Sequence, residues 1–283
     1  MRGYGGSSEP SSTGVRFAVN TYSYTLDFHV SDCVKRLAGQ GFREFELMMY
    51  PGHLWPAHTS KLQRLELKAY FDAEGLNVGT LNMPNLDLNI AAATDEMRTM
   101  TLAILRDVVR LAGDLGANGV VIGTGKANPL FPMERQKMVD HMYQALDTLV
   151  PLAQECGTAI FIENMPFGFL PRIDEMLTAI ENYADPRIGV VYDVANGHFM
   201  REDPCDGLRA CASRLKVVHL SDTNQSVYRH DAVGLGTVDF SPLPAVLKEI
   251  GFQGKPVLEI IDRKPDEAIA ASIKALVDLG WRI

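Results

Sequence analysis

Eight short apolar runs alternate with helix-like segments along nearly the whole chain, and this alternation constrains the fold more than any other feature. The runs are rich in Val and Ile and are apolar at consecutive positions, as expected of parallel strands buried on both faces. Several of the segments between them are amphipathic and end at Gly, the residue preferred just after a helix. The predicted strands are 16–22, 43–49, 77–83, 119–125, 159–165, 188–194, 215–221 and 256–262.

Eight strand–helix units without a second composition regime predict a single α/β domain, a closed (β/α)₈ TIM barrel over residues 15–283. An open doubly wound sheet is the alternative, but it usually has fewer strands and often a Gly-rich phosphate loop. Here NTYSYTLDF (20–28) follows the first strand without a GxGxxG pattern, and GTGKAN (123–128) lacks the spacing GxxxxGK[ST]. The 283 residues, 46% of them hydrophobic, are enough to bury one large core.

The bulk composition indicates a cytoplasmic enzyme that binds neither nucleic acid nor membrane. The net charge of −8 does not favour binding to nucleic-acid phosphates, which needs a basic face. No apolar run reaches the roughly 18 residues of a membrane-spanning helix. Residues 1–14, MRGYGGSSEPSSTG, lack the apolar stretch of a secretory signal and are predicted to be a flexible leader. We interpret four cysteines without CxxC spacing as reduced packing residues: Cys33, Cys156, Cys205 and Cys211.

Four ionisable side chains stand at the ends of four successive predicted strands, numbers five to eight: Glu163, Asp193, His219 and Glu259. The carboxyl ends of barrel strands open on one face, so we expect these side chains to meet there. A charged group at the mouth of a buried strand must be paired, hydrogen-bonded or bound to a metal. Three carboxylates with one imidazole favour Mn²⁺, Mg²⁺ or Co²⁺ over a structural zinc ion.

The stretches around these residues resemble a known group of proteins. The resemblance runs from about residue 15 to residue 283, and it rests on FIENMP (161–166), VYDVANGHF (191–199), VVHLSDTN (217–224), GLGTVDF (234–240) and VLEI (257–260). These motifs are similar to those of the xylose-isomerase-like TIM barrels. That superfamily includes ketose 3-epimerases, hydroxypyruvate isomerases, inosose dehydratases and the distantly related endonuclease IV.

The resemblance implies both a cofactor and a reaction. It implies that Glu163, Asp193, His219 and Glu259 bind one divalent metal, with Mn expected first and Mg, Co or Zn as alternatives. It further implies that Glu163 and Glu259 exchange a proton with the substrate carbon, through a metal-stabilised cis-enediolate. A metal chelated by adjacent carbonyl and hydroxyl oxygens acidifies the C–H bond between them, which makes the reaction chemically reasonable.

Two candidate substrate-binding regions follow strands six and seven. The family often has Asp-x-x-His after strand six, but this chain has Asn196 at that spacing and His198 two residues later. Asn196 can hydrogen-bond a sugar hydroxyl but cannot carry a proton, which weakens a specific assignment as a ketose 3-epimerase. After strand seven, Arg229 and His230 precede the turn GLG. Arg229 either binds a substrate oxygen or is a solvated loop residue.

The loop after strand two carries two further candidates, His53 and Trp55, where such side chains commonly contact sugar rings. Packing of Trp55 onto the barrel rim is the alternative, and the same two interpretations hold for Tyr22 and Tyr24 after strand one. Endonuclease IV needs additional His ligands for three zinc ions. The ends of strands three and four carry none, which argues against DNA repair; they present Asn82, Asn85, Thr124 and Lys126.

The leading functional hypothesis is therefore a metal-dependent isomerase or epimerase of a small keto-sugar or keto-sugar acid. A metal-dependent dehydratase or lyase acting on a keto-cyclitol or 3-keto-glycoside is the alternative, since it shares the enolate step. A non-catalytic sugar-binding protein or partner subunit is a third possibility. By analogy with relatives we also expect a homodimer or homotetramer, although nothing in the sequence fixes the number.

Overall fold

A closed barrel of parallel strands forms the centre of the molecule in the computed structural model, which describes residues 15–84 and 87–281. Each strand pairs with the next in chain order, and the last pairs with the first, which confirms the predicted (β/α)₈ fold. The strands are Ala18–Asn20 (β1), Glu44–Met48 (β2), Asn77–Asn82 (β3), Gly119–Gly123 (β4), Ile160–Glu163 (β5), Gly189–Asp193 (β6), Leu215–Leu220 (β7) and Val257–Leu258 (β8). The predicted leader, residues 1–14, and Asn85 lie outside the described residues.

Helices cover the outside of the barrel. Within residues 15–84 and 87–281 they are Val30–Gly39 (α1), Lys61–Ala73 (α2), Asp95–Leu115 (α3), Arg135–Glu155 (α4), Ile173–Tyr183 (α5), Val194–Phe199 (α6), Pro204–Cys211 (α7), Leu243–Glu249 (α8) and Pro265–Asp278 (α9). The helix-like segments between the predicted strands correspond to these helices, except for α6, which is too short to show a helical period and contains Gly197. As predicted, the four cysteines form no disulfide within the described part of the chain. None of the helices described has both the length and the apolar character needed to cross a bilayer.

The interior of the barrel is layered. A small apolar cluster, separate from the main core between barrel and helices, is formed by Ala18, Val121, Phe161, Val191, Val217 and Val257. Side chains alternate along a strand, so the residue two positions further on faces the same interior. Four of these residues are followed at that spacing by the four ionisable side chains at the strand ends. The candidate site thus forms the next layer up, toward the carboxyl ends of the strands.

Candidate metal centre

The four ionisable residues converge in the layer above the apolar cluster. Glu163 and Asp193 are the last residues of β5 and β6, His219 lies in β7, and Glu259 directly follows β8. Asp193 is in register with His219, and the backbone N–H of Glu259 donates to the carbonyl of Leu220 over 3.1 Å. All four are buried, and one potential ligand atom from each lies within 4.8 Å of the others.

His219 lies at the centre of the group. Its Nδ1 is 3.1 Å from Glu163 Oε1, 3.1 Å from Glu259 Oε2 and 3.7 Å from Asp193 Oδ2. Its Nε2, on the far side of the ring, is 3.0 Å from Glu46 Oε1. The imidazole therefore presents one nitrogen to the three strand-end carboxylates and the other nitrogen to a fourth carboxylate.

Asp193 has one oxygen that accepts a hydrogen bond and one that makes only longer contacts, with the imidazoles of His219 and His230. Its Oδ1 accepts a hydrogen bond of 2.7 Å from the backbone N–H of Asn196, which caps the first turn of α6. The Asn164 side chain bonds both backbone groups of Asp193 and so fixes the residue at the strand end. Oδ2 is buried and accepts no hydrogen bond from the residues that the structure describes. An anionic oxygen left in this state is costly unless a cation neutralises it, so the donor set fits a bound metal.

The pKa values show how concentrated the negative charge is. Burial raises the pKa of Glu163 to about 7, reinforced by the charges of Glu259 and Asp193 and opposed by His219. Burial likewise raises the pKa of Glu259 to about 7, although His219 again opposes it. Burial alone would lower the pKa of His219, but the charges of Glu46 and Glu259 outweigh burial and raise that pKa well above its usual value. A divalent cation bound among these carboxylates would neutralise part of this concentrated negative charge.

A cavity of about 200 Å³ opens above this group toward the carboxyl end of the barrel. Of the four residues in the group, Glu163 and Glu259 line the cavity, whereas Asp193 and His219 do not. The rest of its surface combines a few polar groups with an apolar and aromatic wall, as is typical of small-ligand sites. The polar groups include Asn82, Lys126, Asn196 and His230, and the wall includes Tyr22, Met165, Pro166, Phe167, Tyr228 and Ile261.

An aromatic cluster forms part of that wall. The Tyr228 ring makes an edge contact with Phe167 at 5.2 Å between centroids and packs against Phe199 at 5.3 Å. Phe167 is 64% exposed, so its ring is available to a ligand. Sequence reasoning did not identify Phe167 or Tyr228. Their positions, directly after FIENMP and directly before Arg229, were the only indication available.

Two of the predicted substrate-binding residues line this cavity. Asn196 is buried, and its side-chain Oδ1 has no hydrogen-bond partner within residues 15–84 and 87–281. His230 is hydrogen-bonded through Nδ1 to Ser221 Oγ at 2.9 Å and through Nε2 to Tyr228 OH at 2.8 Å. Its Nδ1 is also 3.5 Å from Glu259 Oε2. Both residues are therefore placed to contact a molecule held above the carboxylates.

His53 and Trp55 do not line the cavity. His53 is buried beneath its own loop, where Nδ1–H donates to the carbonyl of Phe28 at 2.6 Å and Nε2 is 3.0 Å from Thr21 Oγ1. Trp55 packs against the main hydrophobic core. Both side chains hold the loop onto the barrel, because their hydrogen-bonding or apolar requirements are met inside the protein.

His198 and Arg229 are also outside the cavity lining. His198 Nε2 is hydrogen-bonded to Thr237 Oγ1 at 2.8 Å, which ties α6 to the loop after β7. The Arg229 side chain is 60% exposed and lies 3.9 Å from Asp231. This is the solvated loop position that was one of the two interpretations of Arg229 from the sequence. Of the residues after strands six and seven, Asn196 and His230 therefore reach the site.

The fold and the site define a class: a TIM barrel with a cluster of metal-type ligands at the carboxyl ends of its last four strands. The chain belongs to the xylose isomerase-like TIM barrel family, whose sequence profile matches residues 34–279. The L-ribulose-5-phosphate 3-epimerase UlaE of Shigella boydii is 23% identical over 217 residues, which cover 76% of each protein.

Solved structures with the same fold include a D-tagatose 3-epimerase-like protein and the IolI protein with a bound zinc atom. The first has a TM-score of 0.79 at 22% identity and covers 94% of this chain and 97% of its own. The second has a TM-score of 0.76 at 18% identity and covers 93% of this chain and 96% of its own.

Proposed function

We propose that this protein is a divalent-metal-dependent isomerase or epimerase of a small keto-sugar or keto-sugar acid. The observation that carries the proposal is the placement of Glu163 and Glu259: both line the cavity and both belong to the potential ligand cluster. The names of the relatives, which include sugar 3-epimerases, support the same reaction class. Manganese is the proposed metal, with magnesium, cobalt and zinc as alternatives.

In the proposed reaction, the metal and the side chains have separate roles. When bound, the metal would polarise the substrate carbonyl and so acidify the adjacent C–H bond. One of the two glutamates, Glu163 or Glu259, takes the proton from carbon to leave an enediolate, and a proton is then returned to a carbon of that enediolate.

The remaining cavity residues would bind and orient the sugar. The Asn196 amide oxygen, which has no partner among the described residues, can accept a hydrogen bond from a substrate hydroxyl. The rings of Phe167 and Tyr228 offer an apolar surface for the C–H face of a sugar. Proton transfer needs such orientation, because the carboxylate must lie within hydrogen-bond reach of the reacting carbon.

The proposal is tested by metal content and by proton exchange. Protein purified without chelator, analysed by mass spectrometry, should contain about one divalent metal per chain, and His219→Ala should lose it. In D₂O, the wild type should incorporate deuterium into its keto-sugar substrate next to the carbonyl.

Glu163→Gln and Glu259→Gln should lower this exchange by roughly 10²–10⁴-fold while keeping the wild-type circular dichroism spectrum. Absence of metal, with no thermal stabilisation by Mn²⁺, would contradict the proposal. An ultraviolet-absorbing enone product would instead indicate elimination.

A further inference from the structure

Glu46 is a buried carboxylate that the proposed reaction does not use. It lies in β2, on the opposite side of His219 from the other three carboxylates, and it is 1% exposed. It does not line the cavity above the metal-ligand cluster. Burying a carboxylate inside a barrel is costly, so its position needs an explanation.

Glu46 accepts hydrogen bonds from three side chains and contacts the imidazole of His219. Oε1 accepts from Asn20 Nδ2 at 2.6 Å and from Asn82 Nδ2 at 3.0 Å, and it is 3.0 Å from His219 Nε2. Oε2 accepts from Thr80 Oγ1 at 2.6 Å. Such surroundings suit an ionised carboxylate, which only accepts hydrogen bonds.

Glu46 lies against the Nε2 side of the His219 ring, and this contact holds the ring with Nδ1 facing Glu163, Asp193 and Glu259, where a metal ligand is needed. A second connection runs through Asn20, whose Nδ2 donates both to Glu46 Oε1 and to Glu259 Oε1 at 3.1 Å. Glu46 is thus linked to two of the four ligand residues.

We propose that Glu46 is a positioning residue for the metal centre, which holds His219 with Nδ1 toward the metal and, through Asn20, orients Glu259. This inference rests on the proposed function, since it presupposes that the cluster binds a metal. Carboxylates in this position on other metal sites fix the ring orientation and increase the basicity of the ligand, and removing them typically weakens metal binding by 10–100-fold.

The test compares Glu46→Gln with Glu44→Gln. Glutamine has the shape of glutamate, but its amide NH₂ would face donors at Asn20, Asn82 or Thr80, so the network must rearrange. Glu44 lies two residues earlier in the same strand and, together with Glu46, lines a cavity at the amino end of the barrel; the ion pairs of the described residues connect Glu46, and not Glu44, to His219. Calorimetric titration of metal-free protein with Mn²⁺ should give a Kd that rises by about 10–100-fold in Glu46→Gln and stays unchanged in Glu44→Gln.

A spectroscopic readout separates positioning from simple stability. The visible spectrum of the Co²⁺-loaded protein reports ligand geometry, and we expect it to change in Glu46→Gln. Thr80→Val, which removes only the bond to Oε2, should shift the Mn²⁺ affinity in the same direction by a smaller factor, and it serves if Glu46→Gln does not fold. An unchanged Kd and cobalt spectrum, with only a lower melting temperature, would overturn the inference. Failure of the wild type to bind Mn²⁺ would overturn the proposed function itself.

Discussion

At the scale of single residues, Asp193 has two roles: it caps a helix and it belongs to the potential ligand cluster. Its Oδ1 starts α6 by capping the N–H of Asn196, and this bond directs Oδ2 toward the ligand cluster without a hydrogen bond of its own. The same turn brings Asn196 to the cavity, three residues after the carboxylate. One carboxylate therefore determines both the start of a helix and the position of a substrate-facing amide.

Phe167→Ala tests the aromatic wall at this scale. The ring lies over the cavity beside Tyr228 and is 64% exposed, so its removal should affect ligand binding more than folding. Loss of aromatic contacts worth about 0.5–1.5 kcal/mol should raise KM for the sugar roughly 2–10-fold, with little change in kcat or in melting temperature. Steady-state kinetics on the substrate identified by deuterium exchange measures this.

Phe131→Ala is the matched control for Phe167→Ala. Phe131 is 88% exposed and does not line the cavity above the carboxylates. Its removal should leave KM unchanged. Equal KM values in the two variants would show that the wall does not contact the substrate.

The residues of the site differ in how far the sequence could predict them. The convergence of Glu163, Asp193, His219 and Glu259 followed from strand position alone, because the carboxyl ends of parallel barrel strands share one face. His53 and Trp55 also lie near that face, but the sequence does not show whether a loop side chain points to the cavity or beneath its own loop. Glu46 lies in the middle of β2, and only the three-dimensional structure shows that it contacts the back of His219.

At the scale of elements, one carboxylate joins the last helix to the start of the barrel. Asp266, in the first turn of α9, accepts hydrogen bonds from Arg36 in α1, from Gln40 just after α1 and from Tyr24 in the loop after β1. The contact lies beside the junction of β1 and β8, where the sheet closes. These hydrogen bonds therefore connect the last helix, α9, to the first helix and the first loop, next to a strand junction that is itself short.

This junction should contribute stability that depends on pH. The hydrogen bonds from Arg36, with those from Gln40 and Tyr24, lower the pKa of Asp266 to about 2 despite partial burial. An unfolded Asp has a pKa near 3.9, so the contribution is full above about pH 5 and is lost as the pH falls through about 4 toward 2. In urea unfolding, Asp266→Asn should be less stable than the wild type at pH 7, and the difference should shrink between pH 5 and pH 3.

Asp278→Asn gives the comparison for Asp266→Asn within the same helix. Asp278 is exposed and pairs only with Lys274 one turn earlier, among the ion pairs described for α9. Exposed pairs of this kind contribute little, so the variant should match the wild type at every pH. A stability difference for Asp266→Asn that stays constant from pH 7 to pH 3 would contradict the role of its charge.

At the scale of the whole molecule, apolar side chains and the candidate site occupy different layers of the barrel interior. The apolar layer around Phe161 fills the amino-terminal part, and the charged layer and the cavity lie above it. Closure of the barrel could be predicted by counting strands, but the filling of its interior could not. It depends on Gly119 and Gly189 in the strands beside Phe161, and the sequence alone gives no reason for either glycine.

Gly119→Ala tests this packing. A Cβ on Gly119 would lie 2.3 Å from Cε2 of Phe161, and one on Gly189 would lie 2.6 Å from Cδ1 of the same ring, so the aromatic ring occupies the space of both missing side chains. Overpacking of a filled interior typically costs about 1–3 kcal/mol, and urea unfolding of Gly119→Ala should show a loss of that size.

The double variant Gly119→Ala with Phe161→Leu separates crowding from other effects, because a smaller side chain leaves room for the new methyl group. The loss of stability in the double variant should therefore be less than the sum of the two single losses, as expected of residues in direct contact.

Gly39→Ala, where an added Cβ meets nothing within 4 Å near the end of α1, should be neutral or slightly stabilising. If Gly119→Ala were as stable as the wild type, the ring must move into the cavity of about 180 Å³ at the amino end, which Phe161 also lines. The apolar layer would then be a loosely filled space, and the support it gives to Glu163, two residues further along β5, would have to come from the strand backbone alone.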